Sequence, residues 1–173
     1  MFKKIIMYFI VILFFSNCGN NKVSKSDIDN FVLKYQYEDF SYFKNYKIII
    51  RQKTFSETIY MIGDSNSNID SVFFFVFVNN YTDEVSKIET GTSFESISSK
   101  KLNEDKIKKM ISKYKKYDFP YLCVNYDNSV SINPFYMDMK PFFLRLNIKS
   151  NDKLTKKNFT LFKHYKNNWY IKE

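Results

Sequence analysis

The sequence predicts an α+β domain: a mostly antiparallel sheet of about eight or nine strands with one or two packed helices. Three observations lead there. Short runs rich in β-branched and aromatic residues alternate with Asn- and Asp-rich turn clusters. The links between those runs are short, which suits antiparallel neighbours. Two segments instead carry apolar residues at helical spacing behind a capping residue. A 45% hydrophobic share with only three Gly and three Pro in 173 residues fits a globular fold. It excludes collagen-like, low-complexity and disulfide-scaffold classes.

The first helix is expected over residues 27–37, extending at most to 43. Ser26 and Asp29 have capping-box spacing, and Ile28, Phe31, Val32 and Tyr35 form a stripe. Residues 46–51 and 57–62 read as strands, followed by the turn cluster Asp64-Ser65-Asn66-Ser67-Asn68. Residues 72–78 are apolar throughout, which predicts a central strand buried on both faces. After a turn at 79–83, residues 85–90 form a further strand and 91–101 a Ser-rich connector. Asn103 caps the second helix, with Leu102 and Ile107 as a hydrophobic staple. Ile107, Met110, Ile111, Tyr114 and Tyr117 make its stripe, and Pro120 stops it.

Residues 121–126 and 129–132 flank Asp127-Asn128, a connection that tolerates positive φ in a tight hairpin. Pro134 and Pro141 bracket an irregular stretch. Phe142, Leu144, Leu146 and Ile148 then alternate with Phe143, Arg145 and Asn147, which predicts a strand with Arg145 on a wet face. Residues 158–165 and 169–171 close the chain as a hairpin around Asn167-Asn168, with no internal repeat. That hairpin, ending in Trp169-Tyr170-Ile171, resembles the last strands of cystatin-like and nuclear-transport-factor-like cones.

The amino-terminal segment has the three parts of an export signal: Lys3 and Lys4, an apolar run over residues 5–15, then Ser16 and Asn17 before Cys18. Eleven apolar residues fall short of the ~20 that span a bilayer. Phe15-Ser16-Asn17-Cys18 resembles the lipobox of bacterial lipoproteins, although that family usually has Leu where Phe15 stands and a small residue where Asn17 stands. The resemblance implies a signal over residues 1–17, a lipidated Cys18 and a polar tether over 18–26, ahead of one domain at 27–173. No Asp follows the cysteine and no acidic cluster follows that. Among lipoproteins this implies the periplasmic face of the outer membrane. Two or more acyl chains give a lasting anchor where one holds only marginally.

With Cys18 acylated, Cys123 is the remaining cysteine and no intrachain disulfide forms. The formal charge is +9, and residues 1–17 contribute two lysines and no acid, so the mature chain carries +7. Such a surplus attracts anionic lipid or acidic polymer. Nucleic acid is not expected as a partner, because Arg51 and Arg145 are the only arginines and base readout favours Arg.

No catalytic constellation assembles. Asp64 to Asn68 begins like a calcium loop, but Ile69 stands where Gly is needed and Phe75 where the bidentate Glu is needed. Cys123 and His164 form a thiol–imidazole pair only on paper. There is no metal-ligand spacing, no Gly-rich phosphate loop and no Gly-x-Ser-x-Gly elbow. No cofactor is expected. Lysines 106, 108, 109, 113, 115 and 116 lie mainly off the helix stripe, so Lys109, Lys113 and Lys116 are candidate binding cations, with Arg145 as a candidate anion contact.

The reading that follows is an envelope lipoprotein, monomeric, held to the membrane by its amino-terminal lipid. Its domain binds an envelope protein or polymer and catalyses nothing. An immunity lipoprotein neutralising a secreted toxin is the alternative within binding proteins, and an envelope hydrolase the alternative among enzymes.

Overall fold

A computed structural model describes residues 22–66, 74–91, 102–147 and 161–172. The fold is α+β, and the described residues form nine strands in one antiparallel sheet and two α-helices. It divides into two compact units between Tyr37 and Glu38. Cys18, the residues before it and the connectors at 67–73, 92–101 and 148–160 lie outside the described residues. Among the described residues no helix is long and apolar enough to cross a membrane.

In the first unit, α1 spans Lys25–Tyr35. It starts two residues before the expected position, because Ser24 and Asp27 form the capping box that Ser26 and Asp29 also fit by spacing. The Ser24 hydroxyl accepts from the Asp27 N–H at 3.1 Å, and the Asp27 carboxylate accepts from the Ser24 N–H at 3.1 Å. These bonds satisfy two amides, one at the cap and one in the first turn.

The second unit opens with a 3₁₀ turn, Ser41–Phe43. The strands are β1 (Tyr46–Lys53), β2 (Glu57–Asp64), β3 (Phe74–Asn79), β4 (Val85–Thr90), β5 (Tyr121–Val124), β6 (Val130–Asn133), β7 (Phe143–Arg145), β8 (Phe162–Lys166) and β9 (Trp169–Lys172). Between β4 and β5 lies α2, Glu104–Tyr114. The sheet order is β4-β3-β2-β1-β5-β6-β7-β9-β8. Strands β1 to β4 run outward as a meander, and the segment holding α2 returns the chain to pair β5 with β1. Hairpins at 125–129 and around Asn167 then build the other half. Both use left-handed Asn residues, Asn128 at φ 64° and Asn167 at φ 53°, where a short polar side chain keeps the steric cost low.

Pairing register assigns the two faces. Ile48 lies opposite both Ile62 and Leu122, Ile50 opposite Tyr60, and Tyr60 opposite Val76. These side chains form one buried face. It receives α2, whose Tyr114 ring sits 5.9 Å edge-on from Tyr60 and 5.9 Å from Phe43. Ile107, Met110, Ile111 and Tyr114 are all buried, as the stripe predicts, but Tyr117 lies beyond the helix in a half-buried turn, because α2 ends at Tyr114, well before Pro120. The other face gathers Ile49, Met61, Tyr121 and Cys123 beside Phe75 and Met139. Each fully buried large apolar side chain contributes about 1.5–3 kcal/mol relative to exposure.

Two expectations are corrected. The run at 72–78 is not central: β3 stands next to the edge strand β4, and β5 holds the middle with all four residues buried. In β3 only Phe74, Val76 and Val78 are buried, while Phe75 and Phe77 are half-covered, the latter with the Lys87 ammonium 5.5 Å from its ring. The phase of residues 142–148 is also reversed. Phe143 is fully buried on the α2-bearing face and Arg145 shares that face, while Leu144 is buried on the other. The strand stops at Arg145, and Ile148 lies outside the described residues.

Candidate functional site

Two hairpin loops end side by side at one end of the sheet, since Glu57 at the start of β2 lies opposite Asn79 at the end of β3. The β1–β2 turn closes through the Thr54 N–H donating to the Glu57 carbonyl at 2.8 Å. Asn80 ties the second loop to the first. Its N–H donates to the Ser56 carbonyl at 2.9 Å, its Nδ2 to the Thr54 carbonyl at 2.9 Å, and its Oδ1 accepts from the Thr58 hydroxyl at 2.9 Å. Asn79 Oδ1 accepts from the N–H groups of Tyr81 and Thr82, an Asx turn that sets the course of the loop.

This scaffold presents two aromatic rings to water. Phe55 is 86% exposed and Tyr81 66% exposed. Their centroids lie 5.4 Å apart at 81°, an edge-to-face pair. Such pairs are worth about 0.5–1.5 kcal/mol, less than what burial of a phenyl side chain would contribute. The rings hold each other in place, and the core does not cover them.

Acidic residues outnumber basic ones in the sequence beside the pair. Residues 54–57 and 80–84 carry Glu57, Asp83 and Glu84 but no Lys or Arg, on a protein of net +9. Lys115, just past the end of α2, pairs with Asp83 at 2.7 Å. In that pair the lysine side chain is 18% exposed and the carboxylate 79%, so the negative partner meets solvent. Glu84 is exposed as well. Between this loop and α2 lies a cleft of about 370 Å³, lined by Val85 and Ile111 together with Asp83, Glu84, Lys108 and Lys115. Lys108 is held by Glu104 at 2.6 Å.

The candidate lysines lie on α2 or just past its end. Lys109 is exposed. Lys113 lies 3.6 Å above the Tyr42 ring. Lys116 meets Glu38 at 3.0 Å and sits over the Tyr117 ring. Tyr117 also donates to the same Glu38 oxygen, and this bond, with Lys116, draws the Glu38 carboxyl below its ordinary range.

Arg145 does not stand on a wet face. Its guanidinium lies 5.0 Å from the Phe40 ring and 5.6 Å from the Trp169 ring, and Nη2 donates to the Glu38 carbonyl at 2.9 Å. Burial lowers its proton affinity, partly offset by Asp39 and Glu38. The arrangement is a stacked, satisfied arginine.

Cys123 is buried in β5, and desolvation pushes its thiol up to about 11. His164 is exposed on β8, four positions away in the sheet order, with Nε2 2.8 Å from the Asn167 carbonyl. The two are not brought together. Among the described residues no group of three His, Cys, Asp or Glu side chains is placed to hold a metal.

Sequence reasoning did not single out Phe55 or Tyr81. The signal was there: each is a large aromatic inside a turn, where the chain has no core to offer it. The chain matches no family model, no curated protein and no solved structure.

Proposed function

We propose that this chain is an exported lipoprotein, anchored through lipid on Cys18 and facing the periplasm from the outer membrane. Its sheet domain binds an envelope protein and catalyses nothing. The lipobox-like residues 15–18 support the anchoring. The observation that carries the binding reading is the exposed Phe55–Tyr81 pair, held on two cross-tied hairpins. Rigid aromatic anchors on a preordered scaffold bind at low entropic cost.

The test is affinity capture from an envelope extract, using detergent-solubilised full-length chain. Wild type should retain a partner that the Phe55→Ala/Tyr81→Ala variant loses, while a Lys109→Ala variant keeps it. Turnover of an ester, peptide or glycan that vanishes on changing Cys123, His164 or one carboxylate would overturn this reading.

A further inference from the structure

We infer that the Phe55–Tyr81 pair docks a cationic segment of the partner, one that lays Arg or Lys side chains over the two rings. This rests on the binding reading and names its chemistry. Three observations lead to it. Both rings are exposed, and the edge-to-face arrangement turns their faces in different directions. An aromatic face attracts a cation through its quadrupole. This chain makes such contacts itself, with Lys113 over Tyr42 and Arg145 over Phe40.

The rim is acidic. Glu57 at the start of β2 and Asp83 and Glu84 of the second loop are acidic, Lys53 just before the first loop is held by Asp118, and the Lys115–Asp83 pair turns its carboxylate outward. A cation over the rings is drawn to carboxylates carried by the same two hairpins. An acidic segment would meet like charge there, which costs affinity and disfavours wrong partners. The adjoining cleft offers the half-buried Val85 to a neighbouring apolar side chain. The rest of the molecule repels such a ligand, since the mature chain carries +7. Binding of a cationic segment is thus diagnostic of a local site, because general electrostatics work against it.

The test uses fluorescein-labelled peptides that alternate Arg with Ser, or Glu with Ser, titrated against the detergent-solubilised full chain by anisotropy. The Arg peptide should bind wild type. Its affinity should fall roughly threefold to tenfold in Phe55→Ala/Tyr81→Ala, and by a similar factor in Glu57→Gln/Glu84→Gln, which keeps the rings. Phe55, Tyr81 and Glu84 are on the loops and Glu57 is the first residue of β2, so unchanged unfolding midpoints serve as the control for folding. Absence of Arg-peptide binding, or equal binding by wild type and both variants, overturns the assignment. If the Glu peptide binds through the rings instead, the cationic chemistry fails while binding at this pair stands. If extract capture also ignores the pair, the binding reading fails with it.

Discussion

The Tyr114 hydroxyl, buried at the last turn of α2, donates to the main-chain carbonyl of Phe119 at 2.5 Å. That bond fastens the helix end to the segment entering β5, the middle strand of the sheet. Burial raises the Tyr114 hydroxyl well above its ordinary range, so it remains a donor at every physiological pH. Tyr114→Phe removes one oxygen and keeps the ring against Tyr60 and Phe43. The expected loss is about 1–3 kcal/mol, the cost of a buried carbonyl deprived of a partner. Chemical denaturation of the two proteins checks it through the midpoint at constant slope.

Ile111 is fully buried on the same helix. Ile111→Ala should cost about 2–5 kcal/mol through lost contacts and a residual cavity, whereas Lys109→Ala should change stability by less than about 0.5 kcal/mol. Equal effects in denaturation would mean that the stripe does not pack on the sheet.

Glu38 has its carboxyl lowered from the ordinary 4.5, first by the Tyr117 hydroxyl and then by Lys116. The folded state therefore holds this proton less tightly than the unfolded chain. The contribution is full above about pH 5 and is lost as pH falls through the lowered folded value. Glu38→Gln should flatten part of the stability loss between about pH 5 and pH 3. Titrating thermal midpoints of both proteins over that range measures it, and parallel curves would refute the assigned bond.

Cys123 binds its proton more tightly in the folded state, where desolvation puts the thiol at about 11 against an ordinary 9.0. Its share of stability is present below pH 9 and declines as pH rises toward 11. Burial and protonation both protect it from alkylation. Iodoacetamide labelling of Cys123, read by peptide mass spectrometry, should be negligible at pH 8 and should rise only as denaturant unfolds the sheet. Rapid labelling of the native chain would place the thiol at the surface.

What was legible in the sequence was local. The cap at Asn103 and the stripe of Ile107, Met110, Ile111 and Tyr114 lie within a dozen residues, so α2 is found where it was expected. The hairpins at Asn128 and Asn167 depend on short turns and were equally readable. Sheet order depends on contacts between distant segments. An all-apolar β3 read as central, yet Phe77 is half-covered on its outer side with Lys87 nearby. Arg145 read as wet because the rings that enclose it come from Phe40 and Trp169, far off in the chain. The Phe55–Tyr81 pair was hidden for the same reason: its two halves lie on different hairpins, joined through Asn80.

The most direct measurement is site-specific photocrosslinking in the living cell, with a benzophenone side chain placed at position 55 or at position 109 of the full-length chain. Position 55 sits in the aromatic pair and position 109 on the exposed lysine side of α2. A discrete protein adduct from position 55, absent from position 109, is the predicted result. An adduct from position 109 alone, or none from position 55, would contradict binding through the Phe55–Tyr81 pair.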